Sequence, residues 1–281
     1  MCCGTMGAAR KTVDEKRAAF RQLHAQGCFV LPNPWDVGSA RLLQHLGFAA
    51  LASSSSAFAW TDGRPDYSMA LPDVLAHLEK LCAAVDLPVN ADFESGFARE
   101  PQDVAGNVRR AVATGVAGLS IEDRDLDRPT ALHDLPLAVE RIRATRAAID
   151  DMGANVVLVA RTEGLLDDPR AVTPAIDRLV AFAAAGADCL YAPGVRGKED
   201  IAAMVRAVAP RPLNVLMSAP GPSLAELAAL GVRRVSVGGA LARVAWAAAV
   251  AAATEMRVGS FAGLAGAMPG AELDRTFKAF V

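Results

Sequence analysis

Lysine, histidine and cysteine are scarce in this 281-residue chain: five lysines (Lys11, Lys16, Lys80, Lys198, Lys278), four histidines (His24, His45, His77, His133) and five cysteines. No lysine falls on an expected strand or at its C-terminal end, which argues against a Schiff-base aldolase, whose lysine must project into the site. The histidines do not cluster as a zinc or binuclear hydrolase centre requires. His24, His45 and His77 fall on helical segments and read as surface or satisfied core residues; His133 lies in a loop. Cys2, Cys3, Cys28, Cys82 and Cys189 are odd in number and show no CxxC spacing, as in a reduced intracellular protein, so the expected location is the cytoplasm. A cationic excess is lacking too. Lys and Arg total 29 against 31 Asp and Glu, too few cations for a nucleic-acid partner. The most membrane-like stretch, 241–254, is alanine-rich, carries Arg243 and falls short of the roughly 20 residues a spanning helix needs. Neither a membrane nor a signal peptide is expected.

What is abundant is apolar, at 52% of residues. Short Val/Ile/Leu runs alternate with longer alanine-rich stretches of helical period, the βαβ pattern. Strands are expected at 28–33, 49–53, 89–93, 118–122, 156–161, 189–192, 213–217 and 234–238, with helices between them. Gly47, Gly115, Gly186 and Gly231 are placed to end helices. Eight such units in one chain of this length predict an eight-stranded parallel (β/α)8 TIM barrel. A doubly wound sheet would carry a glycine-rich fingerprint after its first strand; here that strand runs into Pro32-Asn33-Pro34-Trp35-Asp36. The expected organisation is a flexible N-terminus over 1–12, a catalytic barrel over 13–257 and a C-terminal helical extension over 258–281.

In a barrel, chemistry sits where strands end. Those ends deliver Ser53-Ser54-Ser55-Ser56, Asn90-Ala91-Asp92-Phe93-Glu94, Glu122-Asp123-Arg124-Asp125, Arg161-Thr162-Glu163, Tyr191, Asn214 and Gly238-Gly239. Acids there serve as helix caps and first-turn residues, and Asp123 and Glu163 fit that role. The alternative is that several converge on a hard divalent cation, which takes one or two carboxylates and keeps its waters. Asp92 and Glu122 are the best placed, each at a strand-to-loop junction. The serine run offers backbone N–H groups to an anion. The segments 219–222 and 237–240 could be read as a phosphate cradle after strands seven and eight, but their glycines are equally explained by tight turns.

These pieces together resemble the isocitrate lyase and phosphoenolpyruvate mutase superfamily: LPNPWDVGSARLLQHLGF, the serine run followed by GRPD, PVNADFESGF, GLSIED, VARTEGLL, PLNVLM and VRRVSVGGALAR. The resemblance implies a (β/α)8 barrel with a C-terminal helix swapped between subunits of a homodimer or homotetramer. It also implies Mg2+, with Mn2+ as an alternative, bound to a 2-oxo carboxylate or its enolate. On this basis Ser53, Ser54 and Ser55 are expected to bind the substrate, Arg161 to grip its carboxylate and Asn214 to make a polar contact. The metal shell is expected to comprise Asp92, Asn90, Asp66 and Glu122, with Arg161, Glu122 and Asp66 in catalytic roles.

Two departures separate the chain from that pattern. Asn90 stands where the family typically has the first aspartate of Asp-Ala-Asp, which removes a negative charge. The loop after strand four has neither the Cys-Gly-His of isocitrate lyases nor the Lys-Thr-Asn-Ser type of the mutases. Its proton carriers are instead Asp125, Asp127, Arg128 and His133, among which the sequence does not choose. The expected function is a Mg2+-dependent lyase cleaving a C–C bond of a small 2-hydroxy di- or tricarboxylate through an enolate. The alternatives are a C–P bond enzyme (phosphonopyruvate hydrolase or mutase) on the same platform and a non-catalytic carboxylate-binding barrel.

Overall fold

Alternation of branched apolar residues with alanine-rich helical stretches produces a ring of parallel strands. The computed structural model describes residues 10–125, 127, 128 and 130–280. The elements are α1 (Val13–Ala25), β1 (Phe29–Leu31), α2 (Val37–His45), β2 (Leu51–Ala52), α3 (Ser55–Thr61), α4 (Leu71–Ala84), β3 (Val89–Asp92), α5 (Pro101–Ala113), β4 (Gly118–Glu122) and α6 (Leu135–Asp151). Then follow β5 (Val157–Arg161), α7 (Gly164–Asp167), α8 (Val172–Ala184), β6 (Cys189–Tyr191), α9 (Lys198–Val208), β7 (Leu213–Leu216), α10 (Leu224–Ala229), β8 (Arg234–Ser236), α11 (Ala240–Arg257) and α12 (Gly270–Lys278). The eight strands pair in parallel in the order β1-β8-β7-β6-β5-β4-β3-β2. At the β1–β2 seam the Ala52 N–H donates to Pro32 O at 3.1 Å and Asn33 Nδ2 donates to Ser53 O at 2.8 Å. The (β/α)8 barrel expected from the sequence is the fold found.

Strand residues alternate between two cores. Leu119, Ile121, Leu158, Ala160, Leu190, Val215 and Val235 pack outward against the helices. Leu31, Ala52, Val157, Val159, Cys189 and Tyr191 pack inward around Phe20. Phe20 comes from α1, a helix the strand count does not anticipate, and it plugs the N-terminal end of the barrel. Thr12 and Glu15 form a capping box that starts α1. Its cations then bond strand-end and helix-end carbonyls: Lys16 Nζ donates to Val85 O at 2.6 Å and Arg17 Nη2 to Val112 O at 2.8 Å. Of the expected flexible segment, residues 1–9 lie outside those described. Lys11 N–H is held by Asp86 Oδ1 at 3.0 Å.

Helix α11 is less covered than any strand-flanking helix of its length leads one to expect, since Ala242 is its one buried residue. Val244, Trp246 and Val250 are 67%, 49% and 62% exposed. The chain then turns back through α12, where Arg41 Cζ lies 5.3 Å from the Phe280 ring centroid. No helix among the described residues is long and apolar enough to cross a membrane. Cys28, Cys82 and Cys189 are free thiols; Cys2 and Cys3 lie outside the described residues.

Burial pushes the pKa values of His24, His77 and His133 each down to about 4. Above pH 6.5 these imidazoles are neutral both folded and unfolded, and they cost nothing. Between pH 6.5 and 4 the unfolded chain binds protons that the folded chain refuses, so stability falls as pH falls. Chemical denaturation followed across that window is expected to lose stability steadily. A flat profile would contradict the neutral burial of these rings.

Candidate active site

Strand ends β2 to β8 converge on a cavity of about 140 Å³, lined among others by Ser53, Ser54, Ser55, Asp66, Asp92 and Arg161. Arg161 closes β5 and is the electrostatic centre of its mouth. Its Nε donates to Glu163 Oε1, and its Nη2 donates to Glu163 Oε2 at 3.2 Å. Nη1 donates to Asp92 Oδ1 at 3.2 Å, and Glu122 Oε2 lies 3.4 Å from Nε. The Tyr191 ring lies under the guanidinium, 5.1 Å from Cζ to centroid. Burial opposes the Arg161 charge, but Glu163, Glu122, Tyr191 and Asp92 outweigh it and raise the pKa. Glu163 takes one edge of the guanidinium and Asp92 one N–H of Nη1, whose second N–H is left for a ligand.

The remaining acids are held by short-range partners. Asp92 Oδ2 accepts from Ser55 N–H at 3.0 Å and from Ser55 Oγ at 3.1 Å, while the Asp92 N–H donates to Ser53 Oγ at 2.8 Å. Ser54 caps α3 through the Ala57 N–H. The serine run is thus tied to Asp92. Glu122 is buried, which pushes its carboxyl up against the pull of Arg161, and it accepts from Tyr67 Oη at 2.8 Å. Desolvation at the pocket wall and the Asp92 charge raise Asp66 in turn. A wider chamber of about 570 Å³ shares Asp66 and adds Tyr67, Glu94, Phe97, Arg124 and Asp125. In it Glu94 is 4% exposed, and burial with the Asp92 and Asp66 charges pushes its pKa up to about 8.

A family model described as phosphoenolpyruvate phosphomutase matches residues 20–257. The chain belongs to that family. A candidate lyase/mutase from Burkholderia cenocepacia J2315 superimposes with a TM-score of 0.91 at 46% identity, over 95% of this chain and 97% of that one. An oxaloacetate acetylhydrolase in complex with oxalate superimposes with a TM-score of 0.82 at 29% identity, over 94% and 93%. An oxaloacetate decarboxylase from Rhodopseudomonas palustris (strain BisB5) is 31% identical over 85% of this chain and 81% of its own. Membership of the phosphoenolpyruvate phosphomutase family makes this protein an enzyme of the lyase/mutase class.

Ser53, Ser54, Ser55, Asp66, Asp92 and Arg161 line one cavity, with Glu122 bonded at its edge through Arg161. Two further expected residues are engaged by Arg234. The Asn90 amide oxygen accepts from Arg234 Nη1 at 3.2 Å, so its expected place in a metal shell would require leaving that guanidinium. Asn214 is fully buried beneath the cavity, where its Oδ1 accepts from Arg234 Nε at 3.0 Å. The sequence reading overlooked Arg234. Its signal was a cation on the short strand 234–236, one position before the buried Val235.

The proton carriers expected after β4 are dispersed. Asp125 is buried; Arg128, the Asp127 N–H and Arg99 overcome that burial and hold its pKa down to about 2. His133 is 1% exposed and neutral, with Asp125 Oδ2 4.0 Å from its Nδ1. Asp127 and Arg128 are exposed.

The oxygen donors fit a hard cation in type and charge, because Asp66 and Asp92 repel each other across the cavity. Among the described residues no three acidic, histidine or cysteine side chains group as a ready-made metal site.

Glu163, 1% exposed, fixes one edge of Arg161 and lies 4.0 Å from Arg124. Glu163→Gln removes one of the three carboxylates that meet the buried guanidinium and is expected to cost about 1.5–3 kcal/mol in urea unfolding. A loss under about 1 kcal/mol would show that Glu163 does not hold Arg161.

Proposed function

We propose that the protein is a carbon–carbon lyase that acts on a small 2-oxo or 2-hydroxy dicarboxylate through an enolate beside a carboxylate. The observation that carries this is the meeting of Arg161 Nη1 and the Asp92 carboxylate at 3.2 Å on the rim of the serine-lined cavity. A cavity of about 140 Å³ matches the volume that holds a benzene-sized molecule, which favours a short acid over a tricarboxylate. The oxaloacetate-acting relatives support the same substrate size.

In this reading Arg161 Nη1 binds the substrate carboxylate, with Glu163 keeping the guanidinium in plane. Asp92 would hold Mg2+ directly, with Asp66 and Glu122 reaching it through water. When bound, the cation supplies positive charge to the oxygen on which the enolate's charge develops. Ser53 and Ser55 fix the Asp92 carboxylate, and Tyr67 fixes Glu122. The Tyr67 loop closes one wall and keeps water from the reacting carbon. The family model itself keeps C–P chemistry as the second reading, and the products separate the two.

We further propose that α11 is covered by a second copy of the chain in a helix-swapped homodimer or a tetramer of such dimers, because exposed apolar area of this kind marks an interface. The domain division expected from the sequence is retained, with 258–281 as an appendage to the barrel.

A panel of oxaloacetate, alkylmalates, methylisocitrate and phosphonopyruvate with Mg2+ is expected to release a keto acid or oxalate from a C–C substrate and no inorganic phosphate from phosphonopyruvate. Phosphate release in phosphorus NMR would favour the second reading instead. Asp92→Ala and metal chelation are each expected to lower kcat/KM at least about 100-fold, the scale of losing a charged transition-state contact. Wild-type rates in either case would overturn the assignment of Asp92. Trp246→Glu with Val250→Asp is expected to shift the sedimenting species to the monomer mass. An unchanged sedimentation coefficient would refute the α11 interface.

A further inference from the structure

The floor of the cavity holds a charge that no neighbouring side chain neutralises. Arg234 on β8 is 3% exposed and lines the cavity with Asn90, Asp92, Arg161 and Ser236. Its two hydrogen-bond acceptors, Asn214 Oδ1 at 3.0 Å and Asn90 Oδ1 at 3.2 Å, are neutral amides. Phe20 lies on its far side, with the ring centroid 6.0 Å from Cζ. Asp92 acts on it as a charge without direct contact. Among the described residues no carboxylate forms an ion pair with Arg234, and Nη2 has no acceptor.

Burying a guanidinium without an anion is costly, and other buried guanidiniums in this chain have their donors filled. Arg141, 1% exposed, is surrounded by the carbonyl oxygens of Ser95, Ala98 and Arg99. Arg178 meets Asp123 at 3.0 Å. Arg234 alone combines full burial, neutral acceptors and an open edge on the substrate cavity. Its surroundings are also arranged to leave the charge intact. An aspartate at position 90 would pair with it; the amide orients it without neutralising it.

We propose that Arg234 is an anion subsite at the cavity floor, taking a carboxylate of the substrate whose other charged end reaches Arg161 at the rim. This rests on the reading of the cavity as the substrate site, and it is independent of which bond is cleaved. It restricts substrates to short dianions. Asn90 and Asn214 are positioning residues that hold the Nη1 and Nε sides of the guanidinium, leaving Nη2 for the anion. Part of the charge that binds the substrate is therefore a fixed side chain, and anion binding persists without a divalent cation.

Oxalate binding measured by calorimetry and thermal shift, in chelator and again in Mg2+, tests this on the full chain. Wild type is expected to bind oxalate in chelator. Arg234→Met is expected to weaken that binding at least tenfold while melting no lower than wild type in the absence of anion; Arg234→Lys restores part of the affinity. Asn90→Asp, which sets a carboxylate against the guanidinium, is expected to weaken oxalate in chelator as well, and it serves if Arg234→Met does not fold. Undiminished binding in Arg234→Met or in Asn90→Asp overturns the subsite while leaving the cavity as substrate site. Binding by wild type only when Mg2+ is present overturns it likewise. Absence of oxalate binding under both conditions overturns the reading of the cavity, and the subsite with it.

Discussion

Five carboxyl groups crowd the C-terminal mouth of the barrel, and the placement of one guanidinium makes that crowding tolerable. Arg161 touches Asp92, Glu122 and Glu163; Asp66 and Glu94 make no ion pair with it, and burial still raises the pKa values of Asp66, Glu94 and Glu122 against its pull. In a partly desolvated site such repulsion is far stronger than in water. The excess negative charge is what would make a divalent cation favourable there, and the Arg161 contacts set how much of it remains. Serine hydroxyls, the Tyr67 phenol and the Glu163 fork fix the geometry of these charges.

Beneath the mouth the polarity reverses. Asn90, Asn214 and Arg234 form a buried layer that is neutral apart from a single cation, closed below by Phe20 from α1. Gly118 makes this layer fit: a Cβ there would come within 2.6 Å of both Asn90 Oδ1 and the Phe20 ring. The fold thus separates an anionic rim from a cationic floor across a cavity the size of a small acid. A dianion placed in it would meet a guanidinium at each end.

The barrel was legible because each strand is a short branched apolar run and the intervening helices have clear ends, such as the glycines at 115 and 186. Helix α1 escaped notice because it precedes the first strand and belongs to no βα unit, although its Thr12-x-x-Glu15 capping box is visible in the chain. At the site, Asp92, Asp66, Glu122, Arg161 and the serines could be placed on strand ends, but their contacts could not. That Ser55 binds Asp92 and Tyr67 binds Glu122 depends on loops folding over the mouth. Asn90 was expected in the metal shell and Asn214 against the substrate, since position on a strand does not reveal which inward neighbour claims an amide. Arg234 claims both, and a charged residue in an apolar strand was the sign of it.

The central claim is that a substrate anion lies between Arg161 and Arg234 with a divalent cation beside Asp92. A crystal structure with oxalate and Mn2+, located by its anomalous signal, tests it most directly. The account predicts the metal peak against the Asp92 carboxylate and oxalate oxygens within hydrogen-bond distance of Arg161 Nη1 and Arg234 Nη2. Oxalate found outside the cavity, or Mn2+ away from Asp92, would contradict it.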